Sequence, residues 1–175
     1  PGQVHMDLLR EGIIPDPFYG KQAEECQWVE NWTWEYEREF EISEDLDLTY
    51  AWLSFEGLDT FADVILNGKT AGRADNMYLT WRYPAKEYLK KWVNRIQVKF
   101  YPFVKMVEDK PYKNYESVYA NPERLFIRRM SCTFYWDWVN RFVTAGIWRP
   151  VSLVLNDRVH FEDLFVYTKD LAKTS

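Results

Sequence analysis

Residues 34–42 read Trp-Glu-Tyr-Glu-Arg-Glu-Phe-Glu-Ile, and this stretch limits the possible folds more than any other. Trp34, Tyr36, Phe40 and Ile42 fall on one side of a two-residue repeat; Glu35, Glu37, Glu39 and Glu41 fall on the other. A repeat of two is a β-strand with one buried and one solvated face. A helix would scatter the same glutamates around its whole circumference. One such strand cannot stand alone, so the chain must supply partners that cover its apolar face.

The partners are legible. Thr49 to Phe55 is a second, more continuously apolar strand, and Phe61 to Leu66 a third. The third ends in Asn67-Gly68, a pair that tolerates positive φ and so predicts a tight hairpin returning through Lys69 to Arg73. Arg95 to Phe100 alternates again, with Ile96, Val98 and Phe100 inward. Ile147 to Leu155 and Val159 to Tyr167 are expected to close the chain as strands, separated by Asn156-Asp157. Helix is sparse. Val4, Leu8 and Leu9 have helical spacing before Gly12, and Pro84 to Trp92 could form a turn or two. Ile14 to Gly20 is expected to be an extended loop, because Pro15 and Pro17 each push the preceding residue out of the α region. Lys21 to Trp32 fits no single period, and Pro102 to Arg124 is a long excursion without one. Many short strands with token helix indicate an all-β, antiparallel sandwich. The length and long cross-connections favour a jelly roll with short helical turns.

Charge and composition exclude several functions. A formal net charge of −5 over 175 residues argues against nucleic acid and against anionic membrane. No apolar run approaches the roughly 20 residues of a membrane helix. Aromatics make up 18%, including nine Trp, more than a sandwich core of this size needs. Cys26 and Cys132 lack metal-type spacing; two buried free thiols are expected, with a bridge as the alternative. Asn31-Trp32-Thr33 fits a glycosylation sequon of the kind that also arises by chance. Pro1-Gly2 reads as the inside of a longer chain, so no compartment follows; cytoplasm, periplasm and lysosome all fit.

The chemistry concentrates in Ser131 to Pro150, centred on Trp136-Asp137-Trp138. An ionised Asp between two indoles suits a core poorly. It suits a sugar, whose C–H face lies on an aromatic ring while its hydroxyls donate to a carboxylate. On these residues alone a second reading stands equally: a surface loop pinned by half-buried indoles, with Asp137 bonded to backbone. Arg128-Arg129 lies just upstream. One of these arginines could pair with Asp137 or hold a ligand group, or stand in solvent at a strand edge. Phe126, Tyr135, Phe142 and Trp148 are expected to pack the loop base. No nucleophile elbow and no phosphate loop is present. His5 and His160 are isolated and read as structural or surface residues, so neither a metal site nor a cofactor is expected. Carboxylates are plentiful, but spacing singles out no catalytic pair.

Several stretches together resemble the start of β-mannosidases of glycoside hydrolase family 2. They are Pro1 to Leu9, Gly12-Ile13-Ile14-Pro15-Asp16-Pro17-Phe18-Tyr19-Gly20, and Trp28-Val29. Trp34-Glu35-Tyr36 with Phe40, and Gly57-Leu58-Asp59-Thr60 followed by Leu66-Asn67-Gly68, are also similar. So are Phe134-Tyr135-Trp136-Asp137-Trp138 and Gly146-Ile147-Trp148-Arg149-Pro150-Val151. Where the family has Gly before Trp-Asp-Trp this chain has Tyr135, and Val139-Asn140 replaces Gly-Pro after it.

The resemblance implies a galactose-binding-domain-like jelly roll at the N-terminus of a retaining exo-glycosidase acting on terminal β-mannose. It implies no catalytic residue in this chain, because the family's two glutamates lie in a downstream barrel. Trp136 and Asp137 would contact the sugar, with Arg128 and Trp138 as possible supports. The partners implied are carbohydrate and the downstream domains of the same polypeptide. The expected division is a sandwich domain at 1–167 and a linker at 168–175. An autonomous carbohydrate-binding module, and a purely structural domain packed on the barrel, are the alternatives.

Overall fold

A computed structural model describes residues 1–42, 50–116, 121–135, 139–156, 159, 161 and 163–171. In chain order the regular elements are α1 (Val4–Arg10), α2 (Gln22–Glu25), β1 (Trp34–Ile42), β2 (Tyr50–Phe55), β3 (Leu58–Asp59) and β4 (Ala62–Leu66). They continue with β5 (Lys69–Ala74), β6 (Trp81–Pro84), β7 (Trp92–Phe100), α3 (Phe103–Met106), β8 (Gly146–Ile147) and β9 (Val151–Asn156). Four single 3-10 turns fill Gln27–Asn31, Tyr112–Tyr115, Pro122–Phe126 and Ser131–Phe134.

The strands form two facing layers. One sheet has the order β1-β7-β4-β5, the other β6-β2-β9, and β3-β8 makes a short two-stranded ribbon. Every strand pairing is antiparallel. β1 and β7 pair from Trp34↔Phe100 to Ile42↔Trp92, which puts both apolar faces on one side. On the wet side Lys99 meets Glu35 at 3.0 Å, and Arg95 pairs with Glu37. The inner faces supply Leu53, Phe55, Val64, Leu66, Val98 and Phe100, each at most 2% exposed. Between the free edges of β1 and β9 the layers open into a cleft of about 770 Å³.

Turn chemistry behaves as the residues dictate. Asn67 and Gly68 have φ of 52° and 82°, and the hairpin closes with Leu66↔Lys69. Asn94 occupies an inward position of β7 and is fully buried. Its carboxamide accepts from the Lys90 amide and Asn67 Nδ2, and donates to the Lys90 and Trp92 carbonyls. A buried amide so fully used adds order to the strand's start.

Several local expectations differ from the structure. Only Pro15 and Asp16 of the proline loop lack a turn; Asp16 Oδ1 accepts the Phe18 amide and folds the rest back. By contrast, the single turn allowed for Pro84 to Trp92 is present, closed on the Ala85 carbonyl. The predicted strand at 147–155 is interrupted at Pro150, which has no amide to donate, and becomes β8 and β9. The described residues of 159–167 lie outside any strand and are exposed, since no neighbouring edge takes up their amides. Both cysteines are free; Cys26 is buried as expected, but Cys132 is exposed.

Two smaller clusters flank the sandwich. Val4, Leu8, Ile14, Cys26 and Val29 pack α1 against the α2 region. Phe103, Val107, Ile127, Phe134 and Val143 form the other, to which residues on both sides of the aromatic–acid motif in the chain contribute. The N-terminus is tied to the opposite end of the chain, the Gly2 amide to the Ile147 carbonyl and the Val4 amide to the Ala145 carbonyl, both at 2.8 Å.

Candidate functional site

Trp136, Asp137 and Trp138 lie outside the described residues; what is described is a foundation made by the residues on either side of them in the chain and the partners of those residues. That foundation has three tiers. The lowest is Arg129, 6% exposed, which faces Thr144 across the stem of the loop. Arg129 Nη1 donates to the Thr144 carbonyl at 2.8 Å and Nη2 to Thr144 Oγ1 at 3.0 Å. Asp59, 1% exposed, completes the pair: its Oδ2 accepts from Arg129 Nη2 at 3.2 Å and from Thr144 Oγ1 at 2.7 Å. Burial pulls the Arg129 pKa down and Asp59 opposes it, so a charge that would be costly alone is held by its partner. Among the described residues Arg129 Nε has no acceptor. A cavity of about 20 Å³ lined by Asp59, Thr60, Arg129 and Thr144 adjoins it, large enough for one water.

The middle tier is aromatic. Phe134 is fully buried, edge-on to Phe103 at 5.0 Å. The guanidinium groups of Arg129 and Arg141 lie 5.5 and 5.3 Å from its ring centre. The upper tier closes the loop: the Phe142 amide donates to the Thr133 carbonyl at 2.8 Å. Asn121, in the left-handed region at φ 54°, donates Nδ2 to the Phe134 carbonyl and accepts Arg141 Nη1, both at 2.7 Å. Arg141 also grips Glu30 through Nε and Nη2 and reaches Glu123 Oε1 at 3.2 Å.

The supporting residues fall as follows. Arg128 is exposed, and its backbone carbonyl accepts the Met77 amide. The buried arginine is its neighbour Arg129, whose partner is Asp59. Phe126, Phe142 and Trp148 are half-buried, as base residues should be. Tyr135 is not a base residue: it is 48% exposed. Its φ is +86°, so the backbone keeps an angle that favours glycine although the side chain is Tyr. Trp148 sits on Gly57, where a Cβ would come within 2.4 Å of the indole, and its Nε1 donates to the Met77 carbonyl. His5 is buried with Nδ1 unpartnered, edge-on to Phe142 at 5.9 Å. His160 lies outside the described residues. Among the described residues, no group of three or more His, Cys, Asp or Glu could hold a metal ion, and no helix is long and apolar enough to cross a membrane.

Sequence reasoning missed Asp59, Thr144, Asn121 and Arg141 as parts of this assembly. Asp59 and Arg129 are 70 positions apart, and Glu30 and Arg141 are 111 apart, beyond any local pattern. The available signal was indirect: Asp59 and Thr60 lie in the Gly57 to Thr60 stretch, singled out only for its resemblance to the family.

A family model described as glycosyl hydrolase 2 galactose-binding domain-like matches residues 1–149. β-Mannosidase B of Thermothelomyces thermophilus is 36% identical over 172 residues, covering 96% of this chain and 20% of that protein. β-Mannosidase A of Aspergillus aculeatus is 34% identical over 166 residues, covering 88% and 18% respectively. The crystal structure of β-D-mannosidase from Dictyoglomus thermophilum superposes with a TM-score of 0.89 at 36% identity, over 98% of this chain and 22% of that one. The chain thus spans about a fifth of the length of these relatives.

Proposed function

Because the chain belongs to the glycosyl hydrolase 2 galactose-binding domain-like family, we propose that it serves as the non-catalytic N-terminal sugar-binding domain of a β-mannosidase-like exo-glycosidase. In this reading bond cleavage belongs to the remainder of the hydrolase. This domain lends it a loop: Asp137 accepts hydrogen bonds from hydroxyls of the terminal sugar, Trp136 offers a ring face, and Arg128 and Trp138 support them. The observation that carries the reading is the agreement with β-mannosidases over nearly the whole chain and only a fifth of theirs. The three-tiered base supports it too, because a loop meant to hold a sugar must be held itself. The boundary at residue 167, with 168–175 as linker, belongs to the same proposal, and limited proteolysis followed by mass measurement locates it.

Asp137→Ala in the full-length hydrolase is expected to lower kcat/KM on an aryl β-mannoside by at least roughly 100-fold, the loss typical of a removed charged contact to the transition state. The chain of residues 1–175 alone is expected to leave that substrate uncleaved. An unchanged kcat/KM for Asp137→Ala sinks the assignment.

A second reading, an autonomous carbohydrate-binding module, draws on the exposed rings of Phe18, Tyr19 and Trp32. Titrating residues 1–175 with mannose, mannobiose and mannan separates the two. Millimolar or tighter binding favours a module; silence favours a half-site completed elsewhere in the hydrolase.

A further inference from the structure

We propose that the cleft between β1 and β9 binds residues 163–167 of a second copy of this chain, so that two molecules exchange the segments that follow β9. The cleft, about 770 Å³, lies where both layers end in an edge strand. Among the described residues β1 pairs only with β7, and β9 only with β2. Each edge therefore carries a row of amides and carbonyls with no strand beside it, the template on which an extended segment adds. Between the edges the floor is apolar: Phe40, Ile96, Ile147 and Leu153 line it and are only half-buried. Arg38 departs from that pattern. It occupies the inward side of β1, in the two-residue repeat with Tyr36 and Phe40, yet it is exposed and has no ion-pair partner among the described residues. An inward charge on an edge strand repels any strand that does not answer it, and so selects one that does.

The segment after β9 supplies the answer. Residues 163–167 read Asp-Leu-Phe-Val-Tyr, and in an extended chain Asp163, Phe165 and Tyr167 share one face. The Phe165 and Tyr167 rings already stand together, stacked with centres 5.9 Å apart. Asp163 Oδ1 accepts the Leu164 amide, and no cation among the described residues pairs with the carboxylate. Laid along the cleft, this face sets two rings over the apolar floor and a carboxylate against Arg38. Five residues of strand span about 17 Å. That is shorter than the six residues of β9 or the nine of β1, so either edge is long enough. The occupant is a second copy because the molecule leaves its own segment outside: Phe165 is 82% and Tyr167 62% exposed, and neither is in a strand. A copy offers both the cleft that covers the segment and the segment that covers the cleft. Reciprocal exchange satisfies the two together in a closed dimer.

The test is analytical sedimentation of the 175-residue chain, which has a buried core of its own, over a range of concentrations. The expected result is a monomer–dimer equilibrium that goes no further than the dimer and is lost when the chain is cut after Asn156. Arg38→Glu and Asp163→Arg, both at exposed positions, are each expected to weaken the dimer on the order of 10-fold or more, because like charges then meet in each cleft. Mixed in equal amounts, the two variants are expected to dimerise with each other as the parent does, since each cleft then receives a segment of opposite charge. A dimer that both substitutions leave unchanged, or a mixture no tighter than the variants alone, overturns the proposal. Growth past the dimer that ignores both substitutions overturns it too, in favour of unspecific association. A monomer at every concentration does the same, and a urea midpoint lowered by removal of residues 157–175 then identifies the segment's seat as the cleft of its own molecule.

Discussion

His5 lies buried with Nδ1 unpartnered, and that burial, followed by the nearby Arg129 charge, pushes its pKa down to about 4. The unfolded chain, with an ordinary His pKa near 6.5, binds more protons than the folded one between those values. Stability from this group is therefore complete above about pH 6.5 and is lost as pH falls toward 4, by on the order of 3 kcal/mol. His5→Gln should flatten the fall in Tm over that window relative to the parent; parallel curves would remove His5 as the cause. The ring was legible in the sequence as an isolated histidine, structural or on the surface, and the fold decides for the first. Its environment was not, because Phe142 and Arg129 are distant in the chain. Tyr135 teaches the same lesson from the other side: its identity predicts an ordinary backbone, and only the fold reveals φ +86°.

At the scale of elements, the two-residue period of β1 and the Asn67-Gly68 hairpin could be read in advance because each depends on adjacent side chains alone. The seam between the β3 region and the segment joining β8 to β9 could not. There Trp148 lies across Gly57, with its Nε1 on the Met77 carbonyl at 3.0 Å. A methyl group at residue 57 must displace the indole and break that bond. Gly57→Ala is therefore expected to cost about 1–3 kcal/mol, read as a lower urea midpoint. An unchanged midpoint would mean that the indole shifts freely. The strand expected at 159–167 but not formed by its described residues has a related cause: alternation shows that a segment could be a strand, and a strand also needs a free edge beside it.

The whole molecule presents two unequal surfaces. The sandwich keeps Phe55, Leu66 and Phe100 inside, whereas Val159, Phe161, Leu164, Phe165 and Val166 are each at least 79% exposed. Exposed apolar side chains in such number promote association. Light scattering of residues 1–175 should show concentration-dependent growth in mass that disappears when the chain is cut after Asn156. Monodisperse behaviour of the longer form would show that those side chains find shelter on their own molecule.

The Gly2 and Val4 amides end on the carbonyls of Ile147 and Ala145. A ribosome making this protein releases the first segment long before its docking strip exists. The segment around Gly2 and Val4 must wait, unclosed, until residues 145–147 have emerged. Closure of this seam is thus tied to the emergence of residues 145–147: a nascent chain halted before Ala145 could hold a good part of its first sheet and still leave the Gly2 and Val4 amides without these acceptors.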